Sequence, residues 1–147
     1  MGSTFYSLHY HIFFSTKERR PLLRPQSRAH VHEYLGGTVR GLGGVAEAVG
    51  GVEDHVHLLV SLKTTRTLAE FARELKKASS VWVTENLEPA FSWQEGYTVL
   101  TVSRTHGLAL RQYIVGQEAH HRKVSFVDEL KLLLERNGVE YDPKYLL

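Results

Sequence analysis

The chain has 147 residues and no cysteine, with 18 Lys and Arg against 16 Asp and Glu for a formal charge of +2. This length suits one domain that buries roughly two-thirds of its unfolded surface, and the lack of cysteine excludes disulfides, zinc–thiolate sites and a cysteine nucleophile while fitting a reducing compartment, the cytoplasm. No apolar run approaches the roughly 18 residues of a membrane span and Met1–Phe5 lacks the layout of a signal peptide, so a soluble protein is expected; so weak a net charge does not by itself mark a nucleic-acid binder.

From Phe5 to Ser15 the chain is aromatic and β-branched, with His9, His11 and Phe13 on one side of a two-residue period and Leu8, Tyr10, Ile12 and Phe14 on the other. That pattern predicts a strand covered on both faces. A basic turn leads to a helix over about Gln26–Gly41, with Val31, Tyr34, Leu35 and Val39 at helical spacing. After Gly43-Gly44, the apolar runs Val45–Val52 and His55–Leu62, joined by Glu53-Asp54, predict a hairpin.

Thr67-Leu-Ala-Glu70 has the form of a capping box, and Leu68, Phe71, Ala72, Leu75, Ser79 and Trp82 mark the buried stripe of the helix it opens. Arg73, Lys76 and Lys77 fall outside that stripe, giving the helix a basic free face. Tyr97–Ser103 is β-branched and predicts a return to the sheet. Helical pattern resumes from about Thr105 to His121, and Ser125-Phe-Val-Asp128 caps a last helix with Phe126, Leu130, Leu133 and Leu134 on its apolar face. The order β-α-β-β-α-β followed by two helices predicts an α+β, ferredoxin-like split βαβ sandwich with an antiparallel sheet and additional C-terminal helices. Such a scaffold carries many functions, so chemistry must come from side chains.

Nine histidines include three His-x-His pairs, His9/His11, His30/His32 and His55/His57. On a helix, residues two apart diverge by about 200°, so His30/His32 cannot share an ion. On a strand, residues two apart face the same side and can converge on one cation. His55-Val-His57 runs into Leu58-Leu59-Val60, which makes it the better candidate; His9/His11 also reads as ordinary polar positions of a central strand. Tyr113, Gln117 and His121 follow at i, i+4 and i+8 and share one helical face. Tyr113 is therefore either an aromatic core contact beside Leu110 and Ile114 or a nucleophile able to attack a phosphodiester near a metal.

The setting Glu53-Asp-His-Val-His-Leu-Leu-Val60, with Gln112-Tyr-Ile-Val-Gly-Gln-Glu-Ala-His-His-Arg-Lys-Val-Ser-Phe126 after it, resembles the single-tyrosine HUH transposases of the insertion-sequence-200 group. Phe13–Leu23, Phe91–Tyr97 and Gly138–Tyr145 look like that family's opening, middle and tail blocks, so the likeness spans nearly the whole chain. It implies a catalytic domain over residues 1–147 that cuts and rejoins single-stranded DNA at element ends through a 5′-phosphotyrosine link. Tyr113 would be the nucleophile, and His55, His57 and Gln117 would hold Mg²⁺ or Mn²⁺.

The resemblance further implies subterminal DNA hairpins as partners and a homodimer in which the tyrosine helix of one subunit completes the other's site. Glu53 stands where the family pattern has proline, and Gly116 where it has asparagine. Gly116 weakens its helix by roughly 1 kcal/mol relative to alanine, which suggests a hinge. Lys17, Arg19, Arg20, Arg73, Lys76 and Lys77 are the candidates for the DNA backbone. With so mixed a donor set, Mg²⁺ is expected to bind weakly without the phosphate. Two other readings stay open: a non-catalytic nucleic-acid-binding domain on the same scaffold, and a domesticated nickase acting on host repeats.

Overall fold

The computed structural model describes residues 2–146. Its strands β1 (His9–Ser15), β2 (Val45–Gly51), β3 (His55–Ser61) and β4 (Thr98–Thr101) form one antiparallel sheet in the order β2-β3-β1-β4. Helices α1 (Pro25–Gly41) and α2 (Leu68–Asn86) fill the crossovers, and α3 (Gly107–Val115), α4 (Gln117–His121) and α5 (Phe126–Arg136) follow β4. This is the expected ferredoxin-like α+β arrangement. Among the described residues, no helix is long and apolar enough to cross a membrane.

The two-residue period of the strands sorts side chains onto two covered faces. Ile12 and Phe14 of β1 and Val56, Leu58 and Val60 of β3 pack with Val31, Leu35 and Val39 of α1 and Phe71, Leu75 and Val83 of α2. The alternate residues face the C-terminal helices: Phe13 and Leu100 meet Phe126, Leu130 and Leu134 of α5, and Ala48 and Leu59 meet Ile114 of α3. In the β1–β3 register Phe13 is paired with His57 and Ser15 with His55, so both motif histidines point toward α3–α5. Their face was decided when Val56, Leu58 and Val60 were committed to the larger core.

Helix ends follow their capping chemistry. Thr67 accepts a hydrogen bond from the Glu70 amide at 3.2 Å, and Ser125 accepts one from the Asp128 amide at 3.2 Å, each satisfying an amide with no partner inside its helix. The reciprocal half of the first box is absent, because the Glu70 carboxylate lies 3.9 Å from Arg66 instead.

Four expectations are corrected. The first strand begins at His9, and Phe5 is exposed, because the β3 ladder reaches no further than His9 opposite Ser61. β4 is a four-residue edge strand that stops at Thr101, short of Ser103. The helix expected through His121 breaks at Gly116, whose φ of −91° and ψ of 14° separate α3 from α4. Trp82 is half-buried rather than sealed in the core, stacked on Tyr34 at 4.8 Å between ring centroids.

Candidate active site

β3 supplies two imidazoles with no solvent exposure, His55 and His57. Their orientation comes from the partners of Nδ1. His55 donates from Nδ1 to the Asp54 carboxylate at 2.7 Å, and Nδ1 of His57 lies 2.7 Å from Nε2 of His11. Holding a ring at Nδ1 aims its Nε2 atom at whatever lies across. His11 is thus the buried support of His57, whereas its companion His9 turns to Glu47 and Ser7. His9 and His11 thus have separate partners, and His30 and His32 lie on α1, away from this cluster.

α3 rests on the sheet through fully buried Ile114. The approach is so close that a Cβ on Gly50 of β2 would stand 2.1 Å from the Ile114 carbonyl oxygen. Only glycine fits there. This seating puts Tyr113 beside His57, with ring centroids 5.9 Å apart. After the break at Gly116, α4 brings buried Gln117 to within 3.2 Å of His55, measured from Oε1 to Nε2. His121, one turn later, has its Nε2 2.9 Å from the same oxygen and donates from Nδ1 to the Val124 carbonyl at 2.6 Å. The salt bridge of Arg28 to Glu118, 2.8 Å, ties α4 to α1. Tyr113, Gln117, His55 and His57 therefore come together around one point of the chain.

Glu129 of α5 enters the centre of this cluster. Its Oε1 lies 2.9 Å from Nε2 of His57, 3.1 Å from that of His121 and 3.3 Å from that of His55, while Oε2 accepts the hydroxyl of Tyr113. His120 approaches Oε2 at 3.3 Å but lies outside hydrogen-bond geometry. The sequence reading had no place for Glu129, yet a signal existed. It follows Phe126 by three residues and precedes Leu130, so a carboxylate occupies a position on the apolar stripe of α5.

The electrostatics follow from burial and this carboxylate. Burial opposes charge on His55, but hydrogen bonds to Asp54 and Glu129 outweigh it and raise its pKa to about 9. Burial dominates for His57, lowered to about 4 against the pull of Glu129, and for His11, lowered to about 3 with His57 beside it. Tyr113 is pushed well above the usual phenol range by burial and by its bond to Glu129. Burial opposes ionisation of Glu129, but bonds from His121, His55 and His57 win and hold it a carboxylate. The chain thus presents a neutral phenol to an ionised acceptor.

These residues fit a divalent cation. With Nδ1 of His55 and of His121 committed as donors, both Nε2 atoms point inward, where each presents a lone pair whenever it carries no proton. Those lone pairs face Gln117 Oε1 and Glu129 Oε1, which are also acceptors. An inward-facing ring of acceptors needs a positive centre, a proton or a metal, to be stable in a buried place. One atom from each of His55, His57, His121 and Glu129 lies within 4.8 Å of the other three.

The proposed DNA contacts are distributed differently. Lys17, Arg20, Arg73 and Lys77 are exposed, and Arg19 is half-buried with its Nε unpartnered. Lys76 turns inward and donates to the carbonyls of Gln94, Glu95 and Gly96 at 2.6, 2.9 and 2.8 Å. It anchors a loop, and its ammonium has no proton left for a phosphate.

Comparison with known proteins gives the same family as the residue pattern. The chain is similar to the ISDra2 transposase TnpA of Deinococcus radiodurans, 27% identical over 119 residues, covering 76% of this chain and 85% of that protein. A crystal structure of a candidate transposase from Deinococcus radiodurans R1 superposes with a TM-score of 0.66 at 26% identity, over 78% of this chain and 93% of that one. A REP-associated tyrosine transposase bound to a REP hairpin shares the fold, with a TM-score of 0.61 at 16% identity, over 84% of this chain and 76% of that one. The family model described as Transposase IS200 like matches residues 4–117, and the chain belongs to that family of transposases.

Proposed function

We propose that this transposase is a single catalytic domain that cuts and rejoins single-stranded DNA at element ends, with Tyr113 as nucleophile and His55, His57 and Gln117 holding Mg²⁺ or Mn²⁺. The observation that carries this reading is the meeting, within one chain, of a phenol, an amide and two buried imidazoles around one point. A bound divalent ion would withdraw charge from the scissile phosphate, whose negative charge otherwise repels nucleophiles.

The chain's own residues do the rest. Tyr113 is held as a phenol whose hydroxyl donates to Glu129 Oε2, the acceptor already in contact with it. On attack, a bond forms from the tyrosine oxygen to phosphorus and the bond from phosphorus to the 3′ oxygen breaks. The downstream fragment keeps its 5′ phosphate on the enzyme, and the upstream fragment of the same strand leaves with a 3′ hydroxyl. The phenolic proton passes to Glu129 and from there, directly or through solvent, to the departing 3′ oxygen, which restores the carboxylate. Because one phosphodiester replaces another, a 3′ hydroxyl can reverse the step without ATP. The exposed cations Lys17, Arg20, Arg73 and Lys77, with Arg19, serve the DNA backbone, hairpins near the ends included. The protein would act as a homodimer in which the tyrosine helix of one subunit completes the other's site.

Incubation of the protein with single-stranded element-end DNA and Mn²⁺ should give a covalent adduct that survives denaturation. The adduct should vanish in Tyr113→Phe and on chelation. DNA binding indifferent to both changes would replace this reading with the non-catalytic one, and cleavage without an adduct would replace it with hydrolysis by water.

A further inference from the structure

We propose that His121 and Glu129 are further ligands of the bound ion, so that the segment following the family match completes the metal site. This rests on the metal reading above and goes beyond its three ligands. Both residues lie outside residues 4–117. Glu129 Oε1 sits within 3.3 Å of three imidazole Nε2 atoms, and His121 Nε2 lies within 3.1 Å of both Glu129 Oε1 and Gln117 Oε1.

Three features favour ligation. First, Glu129 is 2% exposed although it is anionic, and its contacts are the very atoms that would face a cation. Second, His121 has its Nδ1 proton committed to the Val124 carbonyl, which leaves the inward Nε2 atom as a lone-pair donor. Third, the contacts of Glu129 Oε1 at 2.9, 3.1 and 3.3 Å match the spacing of neighbouring ligands. An octahedral ion with bonds of about 2.1 Å sets neighbouring ligand atoms about 3 Å apart and opposite ones about 4.2 Å apart, and the four His and Glu atoms lie within 4.8 Å of one another.

Five protein donors leave one octahedral position for a phosphate oxygen. One carboxylate supplies the charge that an all-neutral set lacks, so the ion binds before DNA does. Three imidazoles favour Mn²⁺ over Mg²⁺. Glu129 also links the ion to the nucleophile, since its second oxygen holds Tyr113.

The test is calorimetric titration of the DNA-free full chain with Mn²⁺, comparing wild type, Glu129→Gln, His57→Ala and Asp128→Asn, the last an exposed neighbour on α5. Expected are one bound equivalent in wild type and Asp128→Asn, at least tenfold weaker binding in Glu129→Gln, and loss in His57→Ala. Pulsed EPR of Mn²⁺ on the wild type should detect three coupled imidazoles, and this measurement stands even if a variant does not fold. Glu129→Gln binding as tightly as wild type, or more tightly as expected of a plug, overturns the proposal while the metal centre stands. Two imidazoles rather than three overturn the role of His121. Failure of the wild type to bind Mn²⁺ overturns both this proposal and DNA-free assembly, and adduct formation that also ignores chelators removes the metal reading itself.

Discussion

Oε1 of Glu129 lies 2.9 Å from Nε2 of His57, joining the middle of β3 to a helix residue 72 positions later. In the ion-free chain this carboxylate neutralises the cluster and pulls α5 onto the sheet. Glu129→Ala removes the anion from the imidazoles it joins, and breaking such a buried pair costs about 3–5 kcal/mol. Urea unfolding without metal should show that loss. A change under 1 kcal/mol would mean that α5 docks through Phe126, Leu130 and Leu134 alone.

The Asp54 carboxylate orients His55 from behind at 2.7 Å. Replacing it by asparagine keeps the shape and removes the charge. Support of this kind is worth about 10–100-fold in metal affinity. Asp54→Asn should weaken Mn²⁺ binding by that factor, read by titration, with little change in fold by circular dichroism. Unaltered affinity would remove Asp54 from the site.

Gly50 is the contact that seats the tyrosine helix. A methyl group there meets the Ile114 carbonyl oxygen at 2.1 Å, so Gly50→Ala must displace α3. Overpacking of this kind costs about 1–3 kcal/mol. Thermal unfolding should show the lower stability, and adduct formation should fall at least tenfold because Tyr113 and Gln117 move with the helix. Full activity in this variant would contradict the close seating.

His32 gives a pH dependence remote from the proposed ligands. Burial first, then the neighbouring Arg28 cation, lowers its pKa from 6.5 to about 4. The unfolded chain takes up the proton earlier than the folded one, so stability is complete above about pH 6.5 and falls as the pH drops toward about 4. The loss from this residue is about 3 kcal/mol at one pKa unit per 1.36 kcal/mol. Unfolding free energies of wild type and His32→Gln should converge by that amount over this window. Parallel profiles would show that His32 titrates normally.

Lys76 and Lys77 are neighbours with opposite tasks. Lys76→Met leaves three carbonyls without their donor and should lower stability by about 1–3 kcal/mol. Lys77→Ala should leave stability within about 0.5 kcal/mol. In binding single-stranded DNA, Lys77→Ala should flatten the slope of log affinity against log salt by about 0.7, the value for one phosphate. A steeper loss of slope in Lys76→Met than in Lys77→Ala would reverse the assignment.

Local periodicity carried much of the site. His55 and His57 had to share a strand face, Thr67 and Ser125 had to begin helices, and Tyr113, Gln117 and His121 had to lie along one side of the helical stretch. Each follows from backbone geometry within a few residues, so the chain order alone determines it. The family pattern then named the reaction class.

Tertiary structure decided everything that depends on residues distant in the chain. The buried support of His57 by His11 and the entry of Glu129 need β1 beside β3 and α5 above both. The inward turn of Lys76 needs the 94–96 loop beneath it. The close seating of α3 on the sheet needs a bare backbone at Gly50 facing Ile114. A sequence period tells which way a side chain leaves its own strand or helix; what it meets there is set by how separate elements pack, and that packing selects its charge, its partners and its chemistry.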